Sequence, residues 1–361
     1  MMRPRHVLLA LSGHGYGHLA QCVPVLNALH ERLPALRLTV MSQLPRPVLA
    51  ERLAPAFTHL RQATDPIMRM HSAWEVDVAA SLKVFDESHR GWDDALQADV
   101  EQLQALAPDL LLANIPYRLL AAAAQVGVPA VALCSLNWAT VLAAYAGTGP
   151  ELRPILEQMW SGYRAADVFL APRPALPMPE LDNCRAIGPI ARRGRRSRQL
   201  LRTELGVPPE TRIVLVALGG IDCALPLANW PRIKGVAWLF PTTPDAPRAD
   251  WFAASTSSLS FIDVLASADA VLTKPGYGTY AEAVCNAVPL LTLARPDWPE
   301  TPHLNAWARQ HGCLEEISIA QFQSGAFGAA LERVWRQPVP EPPVPQGIEQ
   351  AVGIMAGYLE R

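Results

Sequence analysis

The chain has 361 residues, of which 50% are hydrophobic and 18% are charged, and its formal net charge is −2. That length is sufficient for two domains with separate cores. The small net charge excludes a general attraction to nucleic acid, and no apolar stretch reaches the roughly 20 residues that a membrane-spanning helix needs. The six cysteines are far apart, which predicts reduced thiols in a cytoplasmic protein and no zinc site.

Strands and helices alternate through the first half of the chain. The apolar run at residues 6–11 is short and ends in glycines, so it is predicted to be a first strand and not a signal peptide. Residues 45–76 are polar and irregular. The other segments are strands at 36–41, 109–113 and 128–134, and helices at 19–33, 77–107 and 117–126. Repeated strand–helix units predict a parallel, doubly wound sheet.

A proline-rich stretch separates the two halves and predicts the domain organisation. Residues 1–170 are predicted to form an N-terminal domain, residues 171–198 a linker rich in proline and arginine, and residues 199–337 a second domain. A tail and helix at residues 338–361 could cross back to the first domain. The linker carries the sequence RRGRRSR at residues 192–198, which is interpreted either as a surface patch between domains or as a patch facing phosphate or membrane.

The second half repeats the strand–helix alternation. Its predicted strands are at residues 213–218, 235–240, 268–273 and 288–293, and its predicted helices are at residues 260–267, 303–311 and 347–360. Each half therefore has the pattern of one Rossmann-like domain, and a cleft between the two is expected.

The most informative motif is TKPGYGTYAE at residues 273–282, a predicted strand end, glycine turn and helix start. Free backbone N–H groups and the helix dipole favour a phosphate at such a turn. Glu282, one turn further along, could accept hydrogen bonds from two ribose hydroxyls. Two alternatives remain, a turn without a ligand and a helix capping box of Thr279 with Glu282. The predicted diphosphate-binding residues are Lys274, Gly276, Tyr277, Gly278 and Thr279.

A second glycine turn, GHGYGH at residues 13–18, follows the first predicted strand. Gly15 and Gly17 would let the backbone approach a ligand closely. His18, and less strongly His14, is placed to take a proton from an acceptor hydroxyl, although a helix-capping or packing histidine is the alternative. The motif is not GxGxxG, and no acidic residue ends the second strand, so a nicotinamide site is disfavoured.

Two further groups follow predicted strand ends in the second half. Gly219 and Gly220 could approach a phosphate, or could form a tight turn without a ligand. Asp297 and Glu300 could bind sugar hydroxyls, or could lie in a solvated loop. Trp138 is interpreted as a core residue, with the lining of an acceptor pocket as the alternative. The sequence contains no P-loop, no HExxH, no GxSxG and no Asp-x-Asp pair, so phosphate held by backbone groups without a metal is favoured.

These motifs together resemble the GT-B glycosyltransferases, including plant UDP-sugar transferases and the N-acetylglucosamine transferase of peptidoglycan synthesis. The similarity is closer still to the glycosyltransferase-like N-terminal half of plant arabinokinases. It covers almost the whole chain, through GHGYGH at 13–18, APDLL at 107–111, GVP at 127–129, LGG at 218–220, GYGTYAE at 276–282, and then Glu300 and Leu304.

The resemblance implies an α/β fold of the GT-B type, with two doubly wound domains and a nucleotide-diphosphate sugar in the cleft. It implies that His18 is the catalytic base, that Glu282 binds the ribose and that residues 276–279 bind the diphosphate. Where many plant transferases have an aspartate that orients the base, this chain has Asn114, which can hydrogen-bond the ring but cannot stabilise its charged form. The Asp–Gln pair that grips the sugar is replaced by the loop from Asp297 to Glu300.

The predicted function is transfer of a sugar from a nucleotide-diphosphate sugar, with UDP expected, to an acceptor hydroxyl, with inversion and without a metal or other cofactor. A small-molecule or a lipid-linked acceptor fits, and peripheral membrane contact is left open. No nucleic-acid partner, no transmembrane segment and no particular oligomeric state are predicted. The alternatives are a nucleotide-sugar-binding or regulatory module without catalysis, and a GT-B sugar-nucleotide epimerase.

Overall fold

A computed structural model of the protein describes residues 4–13, 15–72, 74–219, 225–242, 244 and 248–360. Two of the predicted site residues, His14 and Gly220, lie outside these described residues. The chain divides into two units, one formed by Met1–Ile190 with Gln346–Arg361 and the other by Ala191–Pro345.

The first unit is built on a parallel sheet of seven strands. The described residues of this unit form these seven strands and two more, namely β1 (His6–Leu11), β2 (Arg37–Met41), β3 (Phe57–Leu60), β4 (Arg69–Met70), β5 (Val76–Asp77), β6 (Leu110–Asn114), β7 (Ala130–Leu133), β8 (Val168–Pro172) and β9 (Cys184–Ile187). The order in the sheet is β3-β2-β1-β6-β7-β8-β9, and β4 and β5 form a separate antiparallel pair. Every residue of β1 and β6 is buried, as expected for central strands covered on both faces.

Helices cover this sheet, and their ends follow local capping rules. The helices of the first 190 residues are α1 (Gly17–Arg32), α2 (Arg46–Ala50), α3 (Val78–Arg90), α4 (Trp92–Leu106), α5 (Tyr117–Val126), α6 (Trp138–Ala146) and α7 (Arg153–Arg164). The carboxylate of Asp77 caps α3 by accepting a hydrogen bond from Ala80 N at 2.9 Å. Gly127, in the left-handed region with φ +67°, ends α5. The helix predicted over residues 77–107 is two helices, separated at Gly91.

The second unit is built on a parallel sheet of six strands in the order β12-β11-β10-β13-β14-β15. The helices and strands of this unit are, in chain order, α8 (Arg198–Leu205), β10 (Arg212–Ala217), β11 (Val236–Phe240), β12 (Trp251–Ala253), α9 (Phe261–Ser267), β13 (Ala270–Thr273), α10 (Tyr277–Cys285), β14 (Leu290–Leu293), α11 (Thr301–His311), β15 (Leu314–Ile317), α12 (Ile319–Ser324) and α13 (Gly328–Arg336). The unit also has two short 3₁₀ helices, Leu227–Asn229 and Ala254–Thr256.

The last helix, α14 (Gly347–Leu359), belongs to the first unit, where it packs on α1, β6 and β9. Gly347 N donates to Pro189 O at 3.0 Å, and a Cβ at position 347 would lie 2.1 Å from Gly188 O. Only glycine therefore permits this approach of the helix start to the end of β9. Part of the segment predicted as a linker is regular structure, because residues 184–187 form β9.

Both sheets have one point where the strand order reverses. The reversal lies between β1 and β6 in the first sheet and between β10 and β13 in the second. The predicted α/β fold with two doubly wound parallel sheets is confirmed. In such sheets, ligands bind beyond the carboxyl ends of the strands on either side of the reversal. Among the described residues, every helix is too short or too polar to cross a bilayer.

Candidate active site

His18 and Asn114, the two predicted catalytic residues, meet at the reversal point of the first sheet. His18 lies in the first turn of α1, and Asn114 is the last residue of β6, paired in register with Leu11 of β1. The imidazole Nδ1 and the amide Oδ1 are 2.6 Å apart. Both side chains are buried, with 5% and 0% of their surface exposed. The topology therefore fixes this pair with little freedom to rotate.

A chain of amide hydrogen bonds sets the orientation of Asn114. The main-chain N–H of Ser135, which can only donate, donates to Gln21 Oε1 at 3.2 Å, and Gln21 Nε2 donates to Ser135 Oγ at 3.0 Å. Asn114 Nδ2 donates to the same Gln21 Oε1 at 3.4 Å. Asn114 Oδ1 is therefore the acceptor toward His18, so the imidazole carries its proton on Nδ1. The lone pair lies on Nε2.

The surroundings of His18 keep the ring neutral. Burial lowers the pKa of His18 to about 4, and the hydrogen bond with Asn114 only partly opposes that shift. The sulfur of Cys134 is 3.8 Å from Nδ1, and the centroid of the Trp138 ring is 5.4 Å from the centroid of the imidazole. Within the described residues, Nε2 makes no hydrogen bond, so it can accept one from a ligand.

Asp65 is a residue of this region that the sequence analysis missed. Its Oδ2 accepts hydrogen bonds from Trp138 Nε1 at 2.7 Å and from Ser12 Oγ, and its Oδ1 accepts one from Thr64 Oγ1 at 2.9 Å. Burial raises the pKa of Asp65 to about 6, although these hydrogen bonds and the charge of Arg118 oppose the rise. Asp65 follows β3, a strand that was not predicted. If β3 had been recognised in the sequence, Asp65 would have been identified as an acidic residue just beyond the carboxyl end of a strand.

Gly15 and Gly17 are the two predicted ligand-binding glycines of the first turn. Gly15 adopts a left-handed conformation with φ +70°, which favours glycine. Gly17 begins α1, is exposed, and a Cβ built on it would meet nothing within 4 Å among the described atoms. Trp138 is fully buried in the core, as the favoured interpretation predicted, yet its indole also contacts Asp65.

Gly219 and Lys274 adjoin at the reversal point of the second sheet. They follow the neighbouring strands β10 and β13, in which Ala217 pairs with Thr273. Thr273 Oγ1 donates to Ala217 O at 2.7 Å, which ties the two strand ends together. Gly219 has φ +79°, and a Cβ at that position would be 3.6 Å from Lys274 Cε. The structure thus brings two of the predicted phosphate-binding turns to one place.

The next feature of this site is the start of α10, directly after the turn. Helix α10 begins at Tyr277 with Gly276 as its N-cap, and no described side chain caps it. Gly276 is extended, with φ −176°, and the nearest described atom to a Cβ there would be Lys274 O at 3.9 Å. Neither the backbone conformation nor the packing of the described residues requires a glycine at 276, although glycine is common at an N-cap. The side chain of Tyr277 is buried, whereas Gly278 and Thr279 are partly exposed.

Glu282 forms an ion pair, and the capping-box alternative is wrong because Thr279 is not the N-cap of the helix. Its Oε1 accepts a hydrogen bond from Arg192 Nε at 3.1 Å, and the N-cap of α10 is Gly276 rather than Thr279. Burial raises the pKa of Glu282, and the charge of Arg192 opposes that rise. Within the described residues, Oε2 of Glu282 makes no hydrogen bond. One carboxylate oxygen can therefore accept a hydrogen bond from a ligand.

The arginine-rich segment that includes Arg192 is attached to the second unit. Asn286, which follows α10, donates from Nδ2 to Arg192 O at 2.9 Å and accepts from Gly194 N at 2.9 Å. Arg195 N donates to the Asp263 carboxylate of α9 at 2.6 Å. These main-chain contacts hold the segment along α9 and α10 while the guanidinium of Arg192 stays exposed.

The third predicted group follows β14, the strand on the other side of β13. Asp297 is exposed, whereas Glu300 is only 4% exposed and is the N-cap residue of α11. Glu300 Oε2 accepts from Trp298 Nε1 at 3.4 Å. Of these two acids, Asp297 is the accessible one. Among the described residues, no group of three His, Cys, Asp or Glu side chains is arranged to hold a metal ion, and none of the five described cysteines forms a disulfide.

Comparisons with known proteins agree with this architecture. No protein-family profile matches the chain. The sequence is 24% identical over 343 residues to L-arabinokinase of Arabidopsis thaliana, an alignment that covers 91% of this chain and 32% of that protein. The chain thus spans about a third of the length of that relative. It is 23% identical over 283 residues to an uncharacterized glycosyltransferase of Methanopyrus kandleri, covering 73% of this chain and 80% of that protein.

Solved structures with the same fold are glycosyltransferases. The calicheamicin glycosyltransferase CalG4 superposes with a TM-score of 0.61 at 18% identity, covering 99% of this chain and 94% of that one. UGT2 of Phytolacca americana, solved with UDP-2-fluoro-glucose and pterostilbene, gives 0.63 at 14% identity, with coverage of 99% and 94%. The spinosyn forosaminyltransferase SpnP gives 0.60 at 16% identity, with coverage of 99% and 95%. The chain therefore has the GT-B fold, and its relatives in sequence and structure support an enzyme of the glycosyltransferase class.

Proposed function

We propose that the chain transfers a glycosyl group from a nucleotide-diphosphate sugar to an acceptor hydroxyl. The observation that carries the proposal is the hydrogen-bond chain from Ser135 N–H through Gln21 and Asn114 to His18. It fixes the imidazole as the tautomer with a lone pair on Nε2, which is the form that a general base needs. The lowered pKa of His18 keeps that lone pair unprotonated at neutral pH.

In the proposed step, the acceptor oxygen attacks the anomeric carbon and its proton passes to His18 Nε2. The bond between the anomeric carbon and the diphosphate oxygen breaks, and the nucleoside diphosphate leaves with the bonding electrons. A single displacement of this kind inverts the anomeric configuration. Asn114 Oδ1 stays hydrogen-bonded to Nδ1–H throughout, so it orients the ring without sharing its charge.

The second unit would bind the donor, in the proposal, through its strand-end turns. The N-terminus of α10, which has no side-chain cap, and the dipole of that helix suit a diphosphate, and the side chain of Lys274 extends to the neighbouring turn at Gly219. These groups would stabilise the charge that develops on the leaving phosphate without a divalent cation. The carboxylate of Glu282 would accept from the ribose hydroxyls. Asp297, the accessible acid after β14, would bind a sugar hydroxyl.

A nucleotide screen followed by a transfer assay tests the proposal. We expect thermal stabilisation of the wild type by one nucleoside diphosphate and its sugar conjugate, with UDP the first candidate, because a ligand that binds only the folded state raises stability. Release of that nucleoside diphosphate should then require an acceptor, and NMR of the product should show an inverted anomeric centre. Failure of every nucleoside diphosphate and every sugar conjugate in the screen to bind would contradict the proposal.

One observation favours a second candidate, a nucleotide-sugar-binding module without catalysis. His18 is enclosed and is oriented by a neutral amide, so it would be a weak base compared with a histidine paired to a carboxylate. This candidate predicts donor binding with no acceptor-dependent release of the diphosphate. The same two assays therefore distinguish the candidates.

A further inference from the structure

A pocket of about 280 Å³ lies in the first unit beside Asp65. Its walls come from the segments that follow β2 and β3 and from helices α3 and α5. Six of its ten lining residues carry polar or charged side chains, so a ligand there would meet hydrogen-bonding groups on several sides. These six are Gln43, Thr64, Asp65, Arg69, Ser88 and Arg118.

Asp65 is held rigidly in the wall of this pocket. Its carboxylate accepts from Trp138, Ser12 and Thr64, which occupies three of the roughly four acceptor positions of a carboxylate. Within the described residues one acceptor position, on Oδ1, is unused. Because the three bonds come from three different segments of the chain, the carboxylate is oriented before any ligand arrives.

Arg118 presents the complementary donors. Its Nε donates to the buried carboxylate of Asp99 at 2.6 Å, which fixes the plane of the guanidinium. Only this one of its five N–H donors is used within the described residues. A pocket with an oriented acceptor at Asp65 and oriented donors at Arg118 matches a group that both donates and accepts hydrogen bonds. Hydroxyl groups have this property.

The pocket adjoins the proposed base through shared contacts. The Trp138 indole donates to Asp65 and its ring lies 5.4 Å from the imidazole of His18. A ligand bound against Asp65 therefore lies next to the side chain that packs on His18. A ligand without hydroxyl groups would leave the unused acceptor position of Asp65 and the unused N–H donors of Arg118 unpaired, which costs binding free energy. A planar phenol presents its hydroxyls only in the plane of its rings, whereas a sugar presents them in several directions.

We propose that this pocket is the acceptor subsite and that it selects a polyhydroxylated, carbohydrate-type acceptor, one hydroxyl of which donates to Asp65. The assignment as an acceptor subsite rests on the proposed transferase function, whereas the binding of a carbohydrate does not. Under this proposal the chain would differ from UGT89C1 of Arabidopsis thaliana, which was solved with quercetin.

The indole N–H signal of Trp138 in a ¹H–¹⁵N spectrum provides a readout that needs no catalysis. Trp138→Phe assigns the signal, and the wild type is then titrated with D-glucose, D-galactose and myo-inositol, and separately with quercetin. We expect a saturable shift with at least one polyol and none with quercetin. Calorimetric titration gives the same affinities without the Trp138 variant, so the test does not depend on that variant folding.

The variants Asp65→Asn and Asp86→Asn complete the test. Loss of a hydrogen bond to a charged acceptor should weaken polyol binding by roughly 10-fold or more in Asp65→Asn. Asp86, an exposed acid of α3 that pairs with Arg90, lies outside the pocket wall, so Asp86→Asn should bind like the wild type. Polyol binding should also survive in His18→Ala, which separates this inference from the transferase proposal.

Three results would overturn the inference. They are wild-type affinity of Asp65→Asn for the polyol, a Trp138 shift caused by quercetin but by no polyol, and no shift by any of these compounds up to its solubility limit. A transferase that works on an aromatic acceptor would overturn the acceptor class while leaving the proposed function intact.

Discussion

The reversal points of the two sheets present different chemistry. At the first reversal point the contacts are between side chains. His18, Asn114 and Gln21 form one buried chain of hydrogen bonds, which ends at the main-chain N–H of Ser135. At the second, the main chain itself is presented, through Gly219 and the uncapped start of α10. Movement of a proton needs a fixed tautomer, whereas binding of an anion needs uncovered N–H groups. The same topology therefore supports two separate tasks.

The largest expected effect is at the first reversal point. His18→Ala should reduce transfer by about 1,000-fold or more, because general base catalysis typically contributes 10²–10⁴-fold. Affinity for the nucleoside diphosphate should stay unchanged, since the proposed diphosphate site is in the other unit. Steady-state kinetics and calorimetry measure the two quantities. The control is His71→Ala, because His71 is an exposed histidine of the same unit. Equal turnover in the two variants would show that another residue is the base.

The second reversal point is tested by a glycine that the fold does not require. Gly276→Ala should reduce nucleoside-diphosphate affinity roughly 10-fold or more, which corresponds to about 1.4 kcal/mol for each factor of ten. The melting temperature should fall by only a few degrees, because the Cβ has space and the backbone is extended, while glycine is preferred over alanine at an N-cap. Gly353→Ala, on the open face of α14, serves as the control. A Gly276→Ala variant with wild-type affinity would show that no phosphate approaches this turn.

Glu282 allows a sharper test with matched ligands. Glu282→Ala should reduce UDP affinity by about 10-fold, as expected for loss of hydrogen bonds to a charged acceptor. The wild type should prefer UDP over 2′-deoxy-UDP, and the variant should lose that preference, because the ribose hydroxyl would no longer have its partner. Calorimetry with both nucleotides gives the double comparison. Retained discrimination in the variant would place the ribose contact elsewhere.

The smallest effect is a shift in pH dependence. The wild type should keep its activity as the pH falls to about 5 and lose it near the His18 pKa of about 4, where Nε2 becomes protonated. In Asn114→Asp, a carboxylate beside the ring would favour the charged imidazole and raise that pKa, so activity should be lost at a higher pH. Asn27→Asp, further along α1, is the control. If the wild type and Asn114→Asp lost activity at the same acidic pH, the residue at position 114 would not influence the pKa of the base.

The central strands could be predicted from the sequence because they are buried on both faces. Strands β1, β6 and β13 contain the apolar runs VLLAL, LLLA and AVL, each with one polar residue at an end of the strand. Two edge strands, β3 with the sequence FTHL and β15 with the sequence LEEI, were missed because they carry polar or charged residues. β8 was missed because it runs into the proline-rich segment that was interpreted as a domain boundary.

The predicted site residues differ in the signal that pointed to them. Glycine turns give local signals, which pointed to His18 and the turn at Gly276, whereas Asn114 came from the resemblance to plant transferases, and the roles of all three stay predictions. Asp65 could not be located from the sequence, because its importance comes from contacts with Ser12 and Trp138, which are 53 and 73 residues away in the chain. The ion pair between Arg192 and Glu282 is also long-range and joins residues 90 positions apart.

The amide hydrogen of Ser135 has a consequence for sequence divergence. Substitution of a side chain cannot delete a peptide N–H, so any variant that keeps the segment after β7 in place still donates at that point. A relative could replace Asn114 by another residue that accepts a hydrogen bond from the imidazole, provided that the residue at position 21 still accepts from the Ser135 N–H. We therefore expect the orientation of the imidazole to outlast changes at the residue that contacts it directly.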